Sequence, residues 1–299
     1  MKVLGIESTA HTYGVGIYDA SKRKILCNIR DTYKTDKGGI IPTEAAKHHE
    51  EVNEKILNVA LKESKIKLKD IDLVSFSQGP GLAPSLIVGM REAKRLSSEL
   101  NIPVVGVNHC IAHLEIGKFV CNIKDPVFLF ISGANTQVIS YSGARYRIFG
   151  ETLDMGLGNF IDTFARYAGL GFPGGPKIME LASKGKNFIE LPYSVKGMDV
   201  SFSGMLTNLR QKLESKKYKL EDLAFSMQEH AFAMVIEVAE RAIAHLRKSE
   251  LVAIGGVASN SRFREMAGIM CNGREATFFV PPSEYVVDNG AMIAYTGFL

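Results

Sequence analysis

Short β-branched, apolar runs alternate with small polar turns at the start of the chain, a pattern that predicts strands at Lys2–Ile6, Tyr13–Tyr18 and Ile25–Ile29. This is a β-meander. After the Lys37-Gly38-Gly39 loop, Pro42 marks the first turn of a helix running to about Glu63, with one apolar face. A buried strand at Ile71–Phe76, a Gln78-Gly79-Pro80-Gly81 turn, a helix over Ser85–Leu100, a strand at Val104–Val107 and a short helix from His109 follow. The order is a meander, then α/β alternation.

The same order then restarts. Strands are predicted at Val127–Ile131, Gln137–Tyr141 and Arg145–Phe149 around the small polar turn Ser132–Thr136. Helices near Asn159–Ala168, Lys177–Lys184 and Met205–Glu214 and a long amphipathic stretch from Leu220 to His245 come next. Strand Leu251–Ile254, turn Gly255–Asn260, helix Ser261–Met270, strand Ala276–Val280 and a last helix after Asp288 complete the chain. The repeated order predicts an internal duplication. Two lobes, 1–125 and 126–299, the second with a helical insertion, are expected to face each other across a cleft.

Composition agrees with two ordinary cores: 299 residues, 46% of them hydrophobic and 23% charged. No apolar run approaches the roughly 20 residues of a membrane helix, and MKVLGIE lacks the layout of a signal peptide, so a cytoplasmic protein is expected. The cysteines Cys27, Cys110, Cys121 and Cys271 are scattered and form no C-x-x-C pair, so neither a disulfide framework nor a cysteine zinc site is suggested. The net charge of +4 is a mild basic excess. No dense basic patch stands out along the sequence.

Three strand-end loops carry the residue types that let backbone N–H groups approach a phosphate: Glu7-Ser8-Thr9-Ala10, Ser132-Gly133-Ala134-Asn135 and Gly255 to Asn260. Tight turns need the same residues for steric reasons, but three such loops together favour a nucleotide. Neither a P-loop nor a G-x-G-x-x-G fingerprint is present. His109 and His113 stand four residues apart on a predicted helix, so both imidazoles project from one face and can share a metal ion. Partly buried helical faces show the same spacing. Cys110 follows the first histidine where H-E-x-x-H chemistry needs a glutamate, which disfavours a metalloprotease. Asp288 is the candidate third ligand, with a helix N-cap as the alternative reading. Asp162 suits either a ribose hydroxyl or the dipole of its own helix.

The stretches FSQGPGLAPSL, VNHCIAHLEIG, SGANTQVI, FGETLDMGLGN, PGGPKI, LPYSVKGMDVSFSG, QEHAFAMVIEVAERA, GGVASN and DNGAMIA resemble the universal tRNA threonylcarbamoyladenosine synthase family. The resemblance is to its archaeal and eukaryotic branch, the catalytic subunit type of the KEOPS complex. It implies the actin-like α/β fold of Hsp70 chaperones and sugar kinases, two duplicated lobes around a central nucleotide cleft. It also implies transfer of a threonylcarbamoyl group from threonylcarbamoyl adenylate to N6 of the adenosine 3′ of the tRNA anticodon, with AMP released.

The family's metal ligands map onto His109, His113 and Asp288, for one iron or zinc ion per chain. Its nucleotide and substrate contacts map onto Phe130, Ile131, Ser132, Gly133, Ala134, Asp162, Gly175, Met179 and Asn260, with Glu7 and Thr9 on the phosphate side. Partners implied are tRNA and the KEOPS subunits: a small protein kinase/ATPase, a dimerising subunit and a kinase-binding subunit. With no dense basic run here, those partners are expected to supply part of the tRNA surface. The sequence departs from the family pattern at Phe130, where relatives have Tyr, at Ala134, in place of the second glycine of SGGN, and at Met179, where Glu is usual. An ATP-dependent phosphotransferase of the same fold, and an assembly platform with a weakened site, are the competing readings.

Overall fold

A computed structural model describes residues 1–34 and 40–299, so the expected Lys37-Gly38-Gly39 loop lies outside the described residues. The chain forms two compact units, Met1–Val120 with Pro282–Leu299, and Cys121–Pro281.

The first unit contains β1 (Lys2–Glu7), β2 (Thr12–Asp19), β3 (Lys24–Thr32), α1 (Pro42–Ser64), β4 (Leu73–Gly79), α2 (Ala83–Leu100), β5 (Val104–Asn108) and α3 (His109–Cys121). Its sheet order is β3-β2-β1-β4-β5, antiparallel through the meander and parallel from β1 to β4 and β5. Successive side chains of β1 serve opposite faces, as a strand requires. Leu4 and Ile6 join the core with Ile56 and Leu57 of α1 and Leu96 of α2, whereas Val3 packs toward the opposite face with Tyr18 and Ala294.

The second unit repeats the plan with β6 (Val127–Ile131), β7 (Thr136–Ser142), β8 (Arg145–Glu151), α4 (Leu157–Tyr167), α5 (Gly175–Ala182), the hairpin β9 (Val195–Lys196) and β10 (Asp199–Val200), α6 (Ser203–Glu214), α7 (Leu220–Leu246), β11 (Glu250–Ile254), α8 (Ser261–Gly273) and β12 (Thr277–Phe279). Its sheet order is β12-β11-β6-β7-β8, with β6 antiparallel to β7 and parallel to β11. Substituting β6 for β1, and β11 and β12 for β4 and β5, reproduces the first sheet strand for strand. The expected duplication is therefore present. Central β6 is buried along its whole length, which accounts for its unbroken apolar run, VFLFI.

The chain ends with α9 (Ser283–Val286) and α10 (Gly290–Phe298), and here the expected division at 125/126 is corrected. α10 belongs to the first unit. The reason is a backbone-to-backbone contact that only glycine permits. A Cβ on Gly5 would stand 2.2 Å from the amide nitrogen of Ala294, one on Gly16 2.2 Å from that of Ala291, and one on Gly290 2.3 Å from that of Gly16. With no side chains between them, α10 lies directly on β1 and β2. Met292 and Ile293 fill the same core as Val107, Ala112 and Ile116.

Candidate functional site

α10 carries Asp288 to the end of the first sheet. Asn289, not Asp288, is the N-cap of this helix: its Oδ1 accepts from the amide of Met292 at 2.9 Å, and its Nδ2 donates to the carbonyl of Val287 at 2.8 Å. The capping alternative for Asp288 is thereby taken by its neighbour, and the Asp288 carboxylate points to the histidines. Its Oδ1 lies 3.2 Å from Nε2 of His113 and 3.5 Å from Nε2 of His109. The helical spacing predicted for the pair holds, since α3 starts at His109 directly after β5, with Asn108 Oδ1 accepting from the amide of Ile111 at 3.1 Å.

The donor set fits a metal ion. One ligand atom each from His109, His113 and Asp288 lies within 4.8 Å of the other two. A tetrahedral ion with ligands at about 2.1 Å holds them about 3.4 Å apart, close to the carboxylate–imidazole separations here. Two imidazoles and one carboxylate suit iron or zinc.

Glu7 and Thr9, expected on the phosphate side, are joined to this group by hydrogen bonds. The Glu7 carboxylate is completely buried at the end of β1. Its Oε1 accepts from the amide of Thr9 at 2.7 Å and from the Thr9 hydroxyl at 2.5 Å, and its Oε2 faces Nδ1 of His109 at 3.0 Å. Burial works against a charged His109, but the attraction of Glu7, its hydrogen bond and the charge of Asp288 outweigh it and hold the imidazole at about 9. His113 goes the other way, because burial lowers it. Burial raises the Asp288 carboxyl, yet His113 and His109 overcome that and keep it below the usual carboxylate range. The contact between Glu7 and His109 was not anticipated from the sequence. Glu7 lies 102 positions from His109 in the chain, and no local motif signals the contact.

The other candidates lie in the second unit, around the ends of β6 and β11. Phe130 and Ile131 are buried strand residues. Ser132 closes a tight turn, donating its amide to the carbonyl of Asn135 at 2.8 Å while its Oγ accepts from the amide of Asn135 at 3.0 Å. Gly133 accepts from the amide of Asn159 at 3.1 Å. Gly156 sits against Ala134 and Gly133, where a Cβ would stand 2.3 Å from the Gly133 carbonyl oxygen. The third loop meets the same turn at Gly255, which adopts φ +92° with its Cβ direction 2.4 Å from the Ile131 carbonyl oxygen.

Asp162 accepts from the amide of Gly174 at 2.8 Å, next to Gly175 at the start of α5, and burial raises its carboxyl in spite of that bond. Met179 of α5 receives a weak contact from the Ser261 hydroxyl at 3.7 Å. Asn260 caps α8, accepting from the amides of Arg262 and Phe263, and donates to Gln228 Oε1 at 2.7 Å. The structure thus brings the Ser132–Ala134 turn, the start of α4 and Gly255 together. It ties Asp162 to the Gly174–Gly175 turn, and Met179 and Asn260 to the start of α8.

Residues 24–295 match the family model for TsaD, tRNA N6-adenosine threonylcarbamoyltransferase. The chain is 57% identical over 297 residues to the tRNA N6-adenosine threonylcarbamoyltransferase of Thermococcus sibiricus, covering 99% of this chain and 91% of the relative. It is 51% identical over 299 residues to the protein of that name from Thermofilum pendens, covering 89% of it. A probable bifunctional tRNA threonylcarbamoyladenosine biosynthesis protein of Methanocaldococcus jannaschii is also 51% identical over 299 residues, and there the match spans 55% of the relative.

Among solved structures, T. kodakarensis HypF superposes with a TM-score of 0.66 at 14% identity, over 99% of this chain and 47% of that one. The Acidaminococcus fermentans (R)-2-hydroxyglutaryl-CoA dehydratase component A gives 0.61 at 16% identity, over 100% and 98%. These two likenesses concern the fold alone and agree with the actin-like architecture expected from the resemblance. The match along nearly the whole chain makes this protein a member of the TsaD family of tRNA N6-adenosine threonylcarbamoyltransferases.

Proposed function

We propose that the chain transfers a threonylcarbamoyl group from threonylcarbamoyl adenylate to N6 of the adenosine 3′ of the tRNA anticodon, using a metal ion held by His109, His113 and Asp288. The convergence of those three side chains on one point, in a member of this family, is the observation that carries the reading. In the reaction N6 bonds to the carbamoyl carbon, the bond from that carbon to the phosphate oxygen breaks, and AMP and the amine proton leave.

A bound iron or zinc ion supplies Lewis acidity toward carbamoyl or phosphate oxygens. The chain's own residues hold and orient. Glu7 accepts a hydrogen bond from Nδ1–H of His109 and so directs Nε2 of that ring toward Asp288. The Ser132–Ala134 turn, with Asp162, Gly175, Met179 and Asn260, is the proposed adenylate-binding set. Because the mixed anhydride arrives activated and N6 is a weak nucleophile, much of the rate is assigned to positioning. No general base is assigned.

The same reading puts the protein in the cytoplasm within a KEOPS-like assembly. The bifunctional relatives support a close functional partner, since the region matching this chain makes up 55% of one of them. The test is to mix the chain, with and without those partners, with threonylcarbamoyl adenylate and unmodified tRNA. Modified adenosine with equimolar AMP is the expected result. Hydrolysis of ATP stimulated by a small-molecule acceptor, without modified tRNA, would favour the phosphotransferase instead.

A further inference from the structure

The helical segment of the second unit is far more basic than the sequence as a whole suggests. Residues 161–219 contain ten Lys and Arg against five Asp and Glu, a net +5 in a chain whose total is +4. Four of the ten, Lys212, Lys216, Lys217 and Lys219, stand close together in the sequence, across the end of α6 and the α6–α7 connection.

Asp222, in the first turn of α7, accepts from the amides of Lys186 and Asn187 at 2.8 and 3.0 Å and from Asn187 Nδ2 at 2.9 Å. That clamp seats the loop after α5 at the start of α7, where Lys219 is close enough to act on the Asp222 charge; the exposed Lys217 precedes Lys219 by two residues. Gly185 makes the approach possible, for a Cβ there would stand 2.5 Å from the carbonyl oxygen of Glu221. Arg210 of α6 lies 5.2 Å from the ring centre of Tyr167, which brings the end of α4 to the same helix. Lys184 and Arg210 are paired with Glu180 and Glu214. Among the described residues Lys186, Lys217 and Lys219 take part in no ion pair, and all three are exposed.

Aromatic rings are interleaved with these charges. Phe188, two residues after Lys186, is 60% exposed although one face is stacked on the His230 imidazole, 12° from parallel at 4.7 Å. Phe225 approaches its edge at 6.5 Å. A ring held flat from behind and open in front is a stacking platform, and platforms beside unpaired lysines are how proteins hold unpaired bases and their phosphates. We infer that this surface, Lys186, Lys217 and Lys219 around Phe188, is where the chain binds tRNA, the lysines contacting phosphates and Phe188 stacking on an unpaired base. The inference rests on the tRNA substrate proposed above. An acidic protein partner would use the lysines but would not need an open aromatic face.

The experiment measures tRNA affinity of the full chain at several salt concentrations. The triple variant Lys186→Glu, Lys217→Glu, Lys219→Glu is expected to bind at least tenfold more weakly, and its log affinity to fall less steeply with log salt. Phe188→Ala is expected to weaken binding roughly 5- to 100-fold without altering the salt slope, and Phe188→Tyr to restore it. The milder Lys→Gln triple, with melting temperature and adenine-nucleotide affinity measured alongside, separates lost contacts from a damaged fold. Unchanged affinity and slope in the charge variants, or no measurable tRNA binding by the parent, overturns the surface assignment. So does loss of a protein partner with tRNA binding intact. Transfer activity of the parent is read in the same samples. Modified tRNA from a parent whose variants bind normally sinks the surface and leaves the reaction standing, whereas the predicted binding losses without any transfer do the reverse.

Discussion

Glu7 and His109 meet through the carboxylate Oε2 and ring Nδ1 at 3.0 Å, inside a unit where Glu7 has no exposure to water. The contact keeps a proton on Nδ1 of His109 and turns Nε2 to face Asp288. A buried carboxylate behind a metal-ligating histidine orients the ring and raises its basicity.

Glu7→Ala is therefore expected to weaken metal affinity about 10- to 100-fold. Competition against a chelator of known strength reads this without reference to catalysis. Glu7→Gln keeps an acceptor for Nδ1–H, loses the charge, and should fall between the two.

Removing one of the proposed ligands outright is a different change. His109→Ala and Asp288→Ala should each abolish stoichiometric metal binding and transfer. α10 is capped by Asn289 and not by Asp288, so Asp288→Ala should leave its N-terminus intact. Metal analysis after gel filtration, together with a thermal melt, checks both halves of the expectation.

The contact of α10 with β1 and β2 predicts a strong size limit at Gly16. Gly16→Ala places a methyl 2.2 Å from the amide of Ala291, where backbone must move. A loss of about 1–3 kcal/mol in stability is expected, and because α10 carries Asp288, metal affinity should fall with it. Chemical denaturation and metal titration of the same variant test the coupling. Normal stability with normal metal binding would show that α10 is not held as described.

His49 supplies a pH-dependent element away from the ligands. It is fully buried, with Nε2–H donating to the carbonyl of Ala10 at 3.1 Å. Burial first, and then the charge of His48, pull its imidazole down to about 4. A group that resists protonation only when folded contributes fully above its unfolded value near 6.5 and loses that contribution as pH falls toward 4. By linkage the parent should lose up to about 3 kcal/mol over this window from His49 alone. His49→Gln, which keeps a donor for Ala10, should show a flatter profile in denaturant melts between pH 7 and 4.

The parts of the fold legible in the sequence were those written locally. β-branched runs and turn residues placed both meanders, and their repetition anticipated two sheets of one topology. The four-residue spacing of His109 and His113 on a helix was equally local. Three features escaped because they depend on distant chain segments. The true division between the units follows from Gly5 and Gly16 meeting α10, and a glycine in a strand looks the same in sequence whether or not a helix lies on it. Glu7 read as part of a phosphate turn, since only the fold shows it aimed at His109. The basic surface was missed because Lys186 and Phe188 lie some thirty positions from Lys217 and Lys219 and reach the start of α7 only through the Asp222 clamp.

Nucleoside analysis of tRNA tests the central claim most directly, after incubation with threonylcarbamoyl adenylate and three samples: the metal-loaded parent, the chelated parent and His109→Ala. Threonylcarbamoyladenosine is expected from the loaded parent alone, with restoration when iron or zinc is returned to the chelated sample. Equal modification by all three samples would contradict it.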